Sequence, residues 1–300
     1  MSKPYLLHMI TAAKNLSPFD VNMAYDAGWS ACTPYTQVTL EEIAGLTQDA
    51  IFSRGPKGVA RTGIFLGGRD VHLALEMLAA ARAAMVPPFE VSVFADPSGA
   101  FTTAAAMVAG AEGCLRGSHG SGLAASRCLI FGGTGPVGSA AAILAARAGA
   151  DAVIVSHLGL VRAEETARLC NQRYGVRLSG ADGSSDAHIR DLMAGADLIF
   201  NAAAAGVQVL SADQLGAGRR LKVACDVNAV PPAGIAGVGV MDNGVPVPGS
   251  TSGALGLGAL AIGNIKYKVQ QGLLRQMHEA GSPQYLGLDE AFEAARRHVD

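Results

Sequence analysis

Residues 127–138 read Arg127-Cys128-Leu129-Ile130-Phe131-Gly132-Gly133-Thr134-Gly135-Pro136-Val137-Gly138. An apolar run is followed by Gly133-x-Gly135-x-x-Gly138 and then by an Ala/Leu-rich stretch to about residue 148. Strand, glycine turn and helix in this order form the fingerprint of a dinucleotide-binding βαβ unit. Gly133 is expected to make the tight turn, Gly135 to let a pyrophosphate reach the backbone, and Gly138 to let the helix pack close to the strand. Thr134, Pro136 and Val137 complete the expected cofactor contacts. The helix start offers free N–H groups and a partial positive charge to phosphates. The same residues would also serve a tight turn with no ligand. The second apolar strand at 152–156, at the right distance, favours the dinucleotide.

The end of that second strand bears on the choice of cofactor. A strict NAD site carries Asp or Glu there for the ribose 2′-hydroxyl. Here the residues are Val155-Ser156-His157-Leu158-Gly159. Ser156 and His157, with Arg162 nearby, suit a 2′-phosphate, so NADP or dual NADP/NAD use is expected; His157 would equally fit an exposed loop. Further strands are read at 176–180, 197–201 and 221–227, with helices at about 161–173 and 186–194. Asn201, Asp226 and Asn228 stand at carboxyl ends of such strands, where α/β proteins gather ligands, and join the expected cofactor contacts.

The first third repeats the β-α alternation: strands at 5–10, 63–68 and 90–96, and helices opening at Ser17-Pro18-Phe19-Asp20, at 39–49, 70–84 and 99–115. Ser17 reads as an N-cap with Asp20 as its capping-box partner. A Gly/Ser-rich stretch, 116–125, is the best linker. The fold class is therefore α/β, with residues 1–120 as one domain and 121–300 as a Rossmann domain, closed by a long helix near 255–279 and a short one from Leu288, its C-terminal helices returning towards the first domain. Composition agrees: half of the chain is hydrophobic, 16% is charged, and 38 of 300 residues are Gly. This excludes a disordered chain. The net charge of −2 gives no field for nucleic acid. Five scattered Cys give neither a disulfide framework nor a zinc site, and the His residues have no metal spacing. The start reads as a strand rather than a signal peptide, and no stretch reads as a membrane helix, so a cytoplasmic protein is expected.

Several further segments carry a resemblance: His8-Met9; Ser17-Pro18-Phe19-Asp20-Val21-Asn22-Met23; Leu46 to Arg54; Arg61-Thr62-Gly63-Ile64-Phe65; Pro87-Pro88-Phe89; Phe94 to Thr103; Asp226 to Gly237; and Gly258 to Tyr267. Together they resemble the bacterial NAD(P)-dependent methylenetetrahydromethanopterin dehydrogenases, over nearly the whole chain. The resemblance implies a catalytic domain and a Rossmann domain with a cleft between them. It implies hydride transfer from methylene-tetrahydromethanopterin to NAD(P)⁺ in one-carbon metabolism and formaldehyde oxidation, with a tetrahydromethanopterin-type carrier as partner. A homo-oligomer is also expected. Alternatives are a methylene-tetrahydrofolate dehydrogenase, with or without cyclohydrolase activity, and a non-catalytic NADP sensor.

Hydride loss from a carbon between two nitrogens leaves a delocalised cation and moves no proton, so a general base is not required. The chain must position, exclude water and tolerate positive charge. Asp20 suits that demand as well as it suits capping. Thr102 and Thr103, after a strand end and a Gly turn, are expected to bind substrate or to cap the helix, and Asp96 to bind substrate or orient that turn. Lys266 and Lys268 lie roughly 200° apart on a helix. The first Lys of this pair matches the active-site lysine in the similar enzymes, which implies a positioning role for Lys266.

Overall fold

The computed structural model describes residues 3–299. The chain runs β1 (Leu6–Ile10), α1 (Pro18–Asp26), β2 (Ala31–Tyr35), α2 (Ile43–Phe52), α3 (Pro56–Val59), β3 (Thr62–Leu66), α4 (Val71–Ala83), β4 (Ser92–Ala95) and α5 (Ala100–His119). It continues with β5 (Arg127–Phe131), α6 (Pro136–Arg147), β6 (Asp151–Ser156), α7 (Leu160–Tyr174), β7 (Leu178–Asp182), α8 (Asp186–Ala194), β8 (Leu198–Asn201), α9 (Ala212–Gly216), β9 (Val223–Asp226), β10 (Asn243–Pro246), β11 (Leu255–Leu257), α10 (Ala259–Glu279), β12 (Tyr285–Leu286) and α11 (Leu288–Arg296).

The contacts divide the chain into two units, and the division is not a single cut near residue 120. The first unit is the chain up to Thr102 together with Tyr267–Ala294; the second is Thr103–Lys266 with the chain from Ala295 on. The C-terminal return has clear causes. β12 pairs in parallel with β4. The Trp29 indole donates to the Leu274 carbonyl at 3.1 Å, and the Ser92 hydroxyl to the Met277 carbonyl at 2.7 Å. Four of the ten residues in the Gly/Ser stretch read as a linker are helical as well. α5 runs on to His119, with Arg116 and His119 in a last turn whose dipole favours cations.

The first unit holds a five-stranded sheet in the order β12-β4-β3-β1-β2, parallel throughout. Residues such as Met9, Ile10, Ile64, Phe65, Val93 and Phe94 are fully buried, as expected of parallel strands covered on both faces. β2, which the sequence reading missed, contains Pro34 and sits at the sheet edge, where a missing N–H is tolerated. α4 starts where the side chain of Asp70 accepts from the His72 and Leu73 N–H groups, a cap worth about 1 kcal/mol. The chain goes from β1 to β2 on one side and then to β3 on the other, so the topological switch lies at the carboxyl ends of β1 and β3.

The second unit holds seven strands in the order β10-β11-β9-β8-β5-β6-β7, all parallel except β10 against β11. Its switch lies between β5 and β8. The long helix expected from 255 starts only at Ala259. Leu255–Leu257 is drawn instead into the sheet beside β9. The third strand of this unit is shifted to Leu178–Asp182 by Asn171, whose side chain brackets Leu178 through its N–H and carbonyl.

Candidate active site

In the second unit, the turn after β5 lies at the switch point, where an open α/β sheet receives its ligand. Gly132, and not Gly133, makes the tight turn: its φ is +71°, and a Cβ there would fall on the backbone of Ala202 and Ala203 in the loop after β8. Gly133 is a packing position, since a Cβ would meet the Ile130 carbonyl and the Ile154 side chain at 2.9 Å. Gly138 packs against the turn itself, because a Cβ would fall on the Gly132 carbonyl. At Gly135, the N-cap of α6, only that carbonyl lies within 4 Å of the missing Cβ, at 3.3 Å. The backbone here is thus bare on one side. Thr134 and Val137 are half-buried and Pro136 is exposed. In an α-helix the first N–H groups have no intrahelical acceptor, which leaves those of Val137 and Gly138 available to an acceptor from outside the helix. A phosphate group fits this cradle.

Ser156 ends β6, and its hydroxyl accepts from the Leu158 N–H at 3.1 Å while its carbonyl accepts from Gly183. It shapes the turn and is itself only 3% exposed. His157 is exposed at the tip. Arg162 stands in the first turn of α7, 3.8 Å from Glu165. Asp182, the register partner of Ser156 on β7, carries the acidic side chain of this edge. Hydrogen bonds from Ser184 hold its carboxyl below the usual range.

Asn201, Asp226 and Asn228 are brought together in one buried network. The Asn201 amide donates to Asp226 at 2.8 Å, and its carbonyl accepts from Ala203 N–H. The Asp226 carboxylate also accepts from the N–H groups of Asn228 and Ile235. Asn228 accepts from Gly206 and Val230 and donates to the Pro232 carbonyl. The polar atoms of the trio therefore hold the loops 202–206 and 228–235 in shape. Gly234 is part of the same construction, since a Cβ there would fall on the Asn201 amide. It lies in the Asp226 to Gly237 segment quoted above, which gave it no role of its own.

In the first unit, Asp96 is fully buried and caps α5. It accepts from the N–H groups of Phe101 and Thr102 and from the Thr102 hydroxyl at 2.7 Å. Thr102 is thus tied to Asp96, while Thr103 is half-exposed. Ser17 is the N-cap of α1, but its side chain makes no capping bond. Asp20 instead turns inward, is 2% exposed and accepts from the side-chain amide of Gln270 at 2.8 Å. Gln270 was absent from the residues expected on sequence grounds. It lies one turn after Lys266 on α10; Lys266 is half-buried and Lys268 exposed, as their helical spacing requires. His8, on β1, meets the Tyr35 hydroxyl at 3.0 Å. Burial, helped by the Arg54 guanidinium, holds its imidazole below the usual range.

Comparison with known proteins gives this geometry its context. Residues 18–98 match the model of the methylene-tetrahydromethanopterin dehydrogenase N-terminal family. The NAD(P)-dependent methylenetetrahydromethanopterin dehydrogenase of Methylorubrum extorquens is 47% identical over 290 residues, 97% of each chain. The chain belongs to the methylenetetrahydromethanopterin dehydrogenase family. A second relative from the same organism, the bifunctional protein MdtA, is 31% identical over 93% of this chain and 94% of its own. Among solved structures, shikimate 5-dehydrogenase from Listeria monocytogenes aligns at TM-score 0.53 with 15% identity, covering 97% of this chain and 96% of that one. The NAD-dependent malic enzyme of Thermotoga maritima aligns at 0.55 with 14% identity, covering 97% and 84%. These two show that the dehydrogenase family shares its α/β fold with other dehydrogenases. Among the described residues no helix is long and apolar enough to cross a membrane.

Proposed function

We propose that this protein is an NAD(P)-dependent oxidoreductase of one-carbon metabolism. It oxidises methylene-tetrahydromethanopterin to the methenyl form on the route of formaldehyde oxidation. The observation that carries this reading is end-to-end identity of 47% with an enzyme of that name. The bare glycine turn at the switch point of the second unit supports it.

In this reading Gly133, Thr134, Gly135, Pro136, Val137 and Gly138 hold the cofactor phosphates, helped by the dipole of α6. Ser156, His157 and Arg162 face the adenosine ribose and, with no acid at the tip of β6, accept NADP as well as NAD. Asn201, Asp226 and Asn228 keep the neighbouring loops in the shape the cofactor needs. When bound, the nicotinamide supplies the hydride acceptor. The first unit binds the pterin. Asp20 sets a carboxylate where positive charge grows during hydride loss, a preorganised electrostatic contribution that needs no proton transfer. Lys266 positions the carrier by hydrogen bonding, and Asp96, Thr102 and Thr103 are further carrier contacts in this reading. The reading also places the enzyme in the cytoplasm as a homo-oligomer, which light scattering tests.

The deciding experiment follows reduction of NAD⁺ and NADP⁺ separately, with methylene-tetrahydromethanopterin and with methylene-tetrahydrofolate. Turnover with the methanopterin carrier is expected, and no turnover with it overturns the reading. Lys266→Ala should lower kcat on the order of 100-fold, the loss seen when a positioning group leaves a reacting pair, with cofactor affinity retained. Unchanged kinetics would remove Lys266 from the site.

A further inference from the structure

α10 offers an observation that the reading above does not use. Its fully buried residues are Ile262, Val269, Gln270, Leu273, Leu274 and Met277, an apolar stripe interrupted by one amide. Gln270 is 0% exposed. Its Nε2 donates to the Asp20 carboxylate at 2.8 Å. That bond also fixes which way the amide points: turned over, its oxygen would face a carboxylate, two acceptors in contact. The Oε1 is therefore committed to the other side, and there it meets no donor among the described residues. Buried acceptors are rarely left unpaired, and each unpaired one destabilises the fold. An apolar residue at this position of the stripe would avoid that cost. A buried acceptor kept unpaired by a neighbouring carboxylate points to a donor that arrives with a ligand.

We propose that Gln270 is a substrate-positioning residue. Its Nε2 holds the Asp20 carboxylate, and its Oε1 accepts a hydrogen bond from a ring N–H of the reduced pterin. The inference rests on the reading of the first unit as the pterin side. The chemistry suits an amide better than a second carboxylate. The carbonyl dipole favours the growing cation, as Asp20 does, and a neutral amide adds no second charge beside that carboxylate.

The test uses the full-length enzyme, two variants and three measurements: kcat and KM for methylene-tetrahydromethanopterin, NADP⁺ affinity by fluorescence, and activity against pH. Gln270→Met fills the stripe with a similar apolar volume. It should raise the pterin KM and lower kcat, together costing about tenfold or more in kcat/KM, the scale of one lost hydrogen bond, while NADP⁺ affinity stays within twofold. Gln270→Glu is nearly isosteric. While its new carboxyl is protonated it can donate to Asp20 and accept through its carbonyl, as the amide does. Once that proton is lost, two carboxylates confront each other. Activity of this variant should therefore fall as pH rises through the loss of the shared proton, over a range where the wild type stays flat. Wild-type kinetics for Gln270→Met, or a pH profile for Gln270→Glu parallel to the wild type, would overturn the role. If the wild type itself does not oxidise the pterin, the functional reading fails before this one is reached.

Discussion

The Gly132–Gly138 turn and the Asp20–Gln270 pair solve opposite problems. The turn works by what is missing: no Cβ on Gly135, none on Gly138, and N–H groups left open at the start of α6. The pair works by what is present: a buried carboxylate, an amide that fixes it, and an acceptor facing away. A phosphate has a fixed shape and charge, so backbone can be built to receive it in advance. A pterin ring that becomes a cation during reaction needs specific side chains whose charge matters most at that moment. The cost of error differs accordingly. Substitution of a packed glycine of the turn should break the fold locally, whereas substitutions at the pair should leave the fold and change the chemistry.

The sharpest way to break this contrast is Gly138→Ala. Its methyl would fall on the Gly132 carbonyl, and backbone on both sides of the turn must move. A loss on the order of 2–3 kcal/mol is expected, with NADP⁺ affinity reduced about 100-fold or more. Gly135→Ala should separate the two effects. Its methyl meets only one carbonyl at 3.3 Å, so the melting temperature should stay within about 2 °C. The methyl occupies the bare side of the turn, and cofactor affinity should fall about tenfold. Calorimetry and fluorescence titration of both variants check this. Unchanged cofactor affinity in Gly135→Ala would show that the bare side of the turn is not where the cofactor lies.

The same contrast explains what was legible in the sequence. A glycine turn between a strand and a helix has a fixed spacing, so 127–138 gave away the second unit, the parallel sheet and the cofactor class. Within it, the tight turn fell one residue earlier than the spacing alone suggested, because Gly132-Gly133 offers two candidates and only the close approach of Ala202 and Ala203 chooses between them. The Asp20–Gln270 pair spans 250 residues. No periodicity joins α1 to α10, and Asp20 three residues after Ser17 mimics a capping box. That local pattern was available, and the long-range partner won because burying a carboxylate demands a donor. The return of the C-terminal helices towards the first unit was expected, but its point of departure and β12 were not readable: a two-residue strand has no pattern of its own.

A second, smaller break concerns Asp226, which stands between the two styles of site: a side chain that serves backbone. Asp226→Ala would leave the Asn201 amide and the N–H groups of Asn228 and Ile235 unmet, costing about 3 kcal/mol. Asp226→Asn retains part of the acceptor capacity but sets an amide against the Asn201 amide, and should cost less. If the network only shapes loops, both variants should raise the NADP⁺ KM in proportion to their loss of stability and leave kcat at saturation within about twofold. A large fall in kcat with normal stability would make Asp226 a direct contact of the reacting groups instead.

The smallest expected effect tests where the protein senses pH. The turn from Gly132 to Gly138 contains no titratable side chain, so between pH 5 and 7 it should be indifferent. His8, in the sheet of the first unit, is not. Burial, with the Arg54 guanidinium second, holds its imidazole below the ordinary value of 6.5 in the fold. The unfolded chain therefore binds more protons than the folded one between that lowered value and 6.5, and stability rises with pH in that window. Acidifying from pH 7 should leave the melting temperature unchanged until about 6.5, then lower it, and the fall should level off once the folded imidazole also takes its proton. His8→Gln keeps a polar group opposite the Tyr35 hydroxyl and cannot titrate. It should remove this part of the acid sensitivity, an effect of about 2 °C, read by melting the wild type and the variant side by side from pH 7 to 5. Parallel curves would mean that His8 carries none of the pH response, and the titratable groups that matter would then have to be sought elsewhere in the same unit.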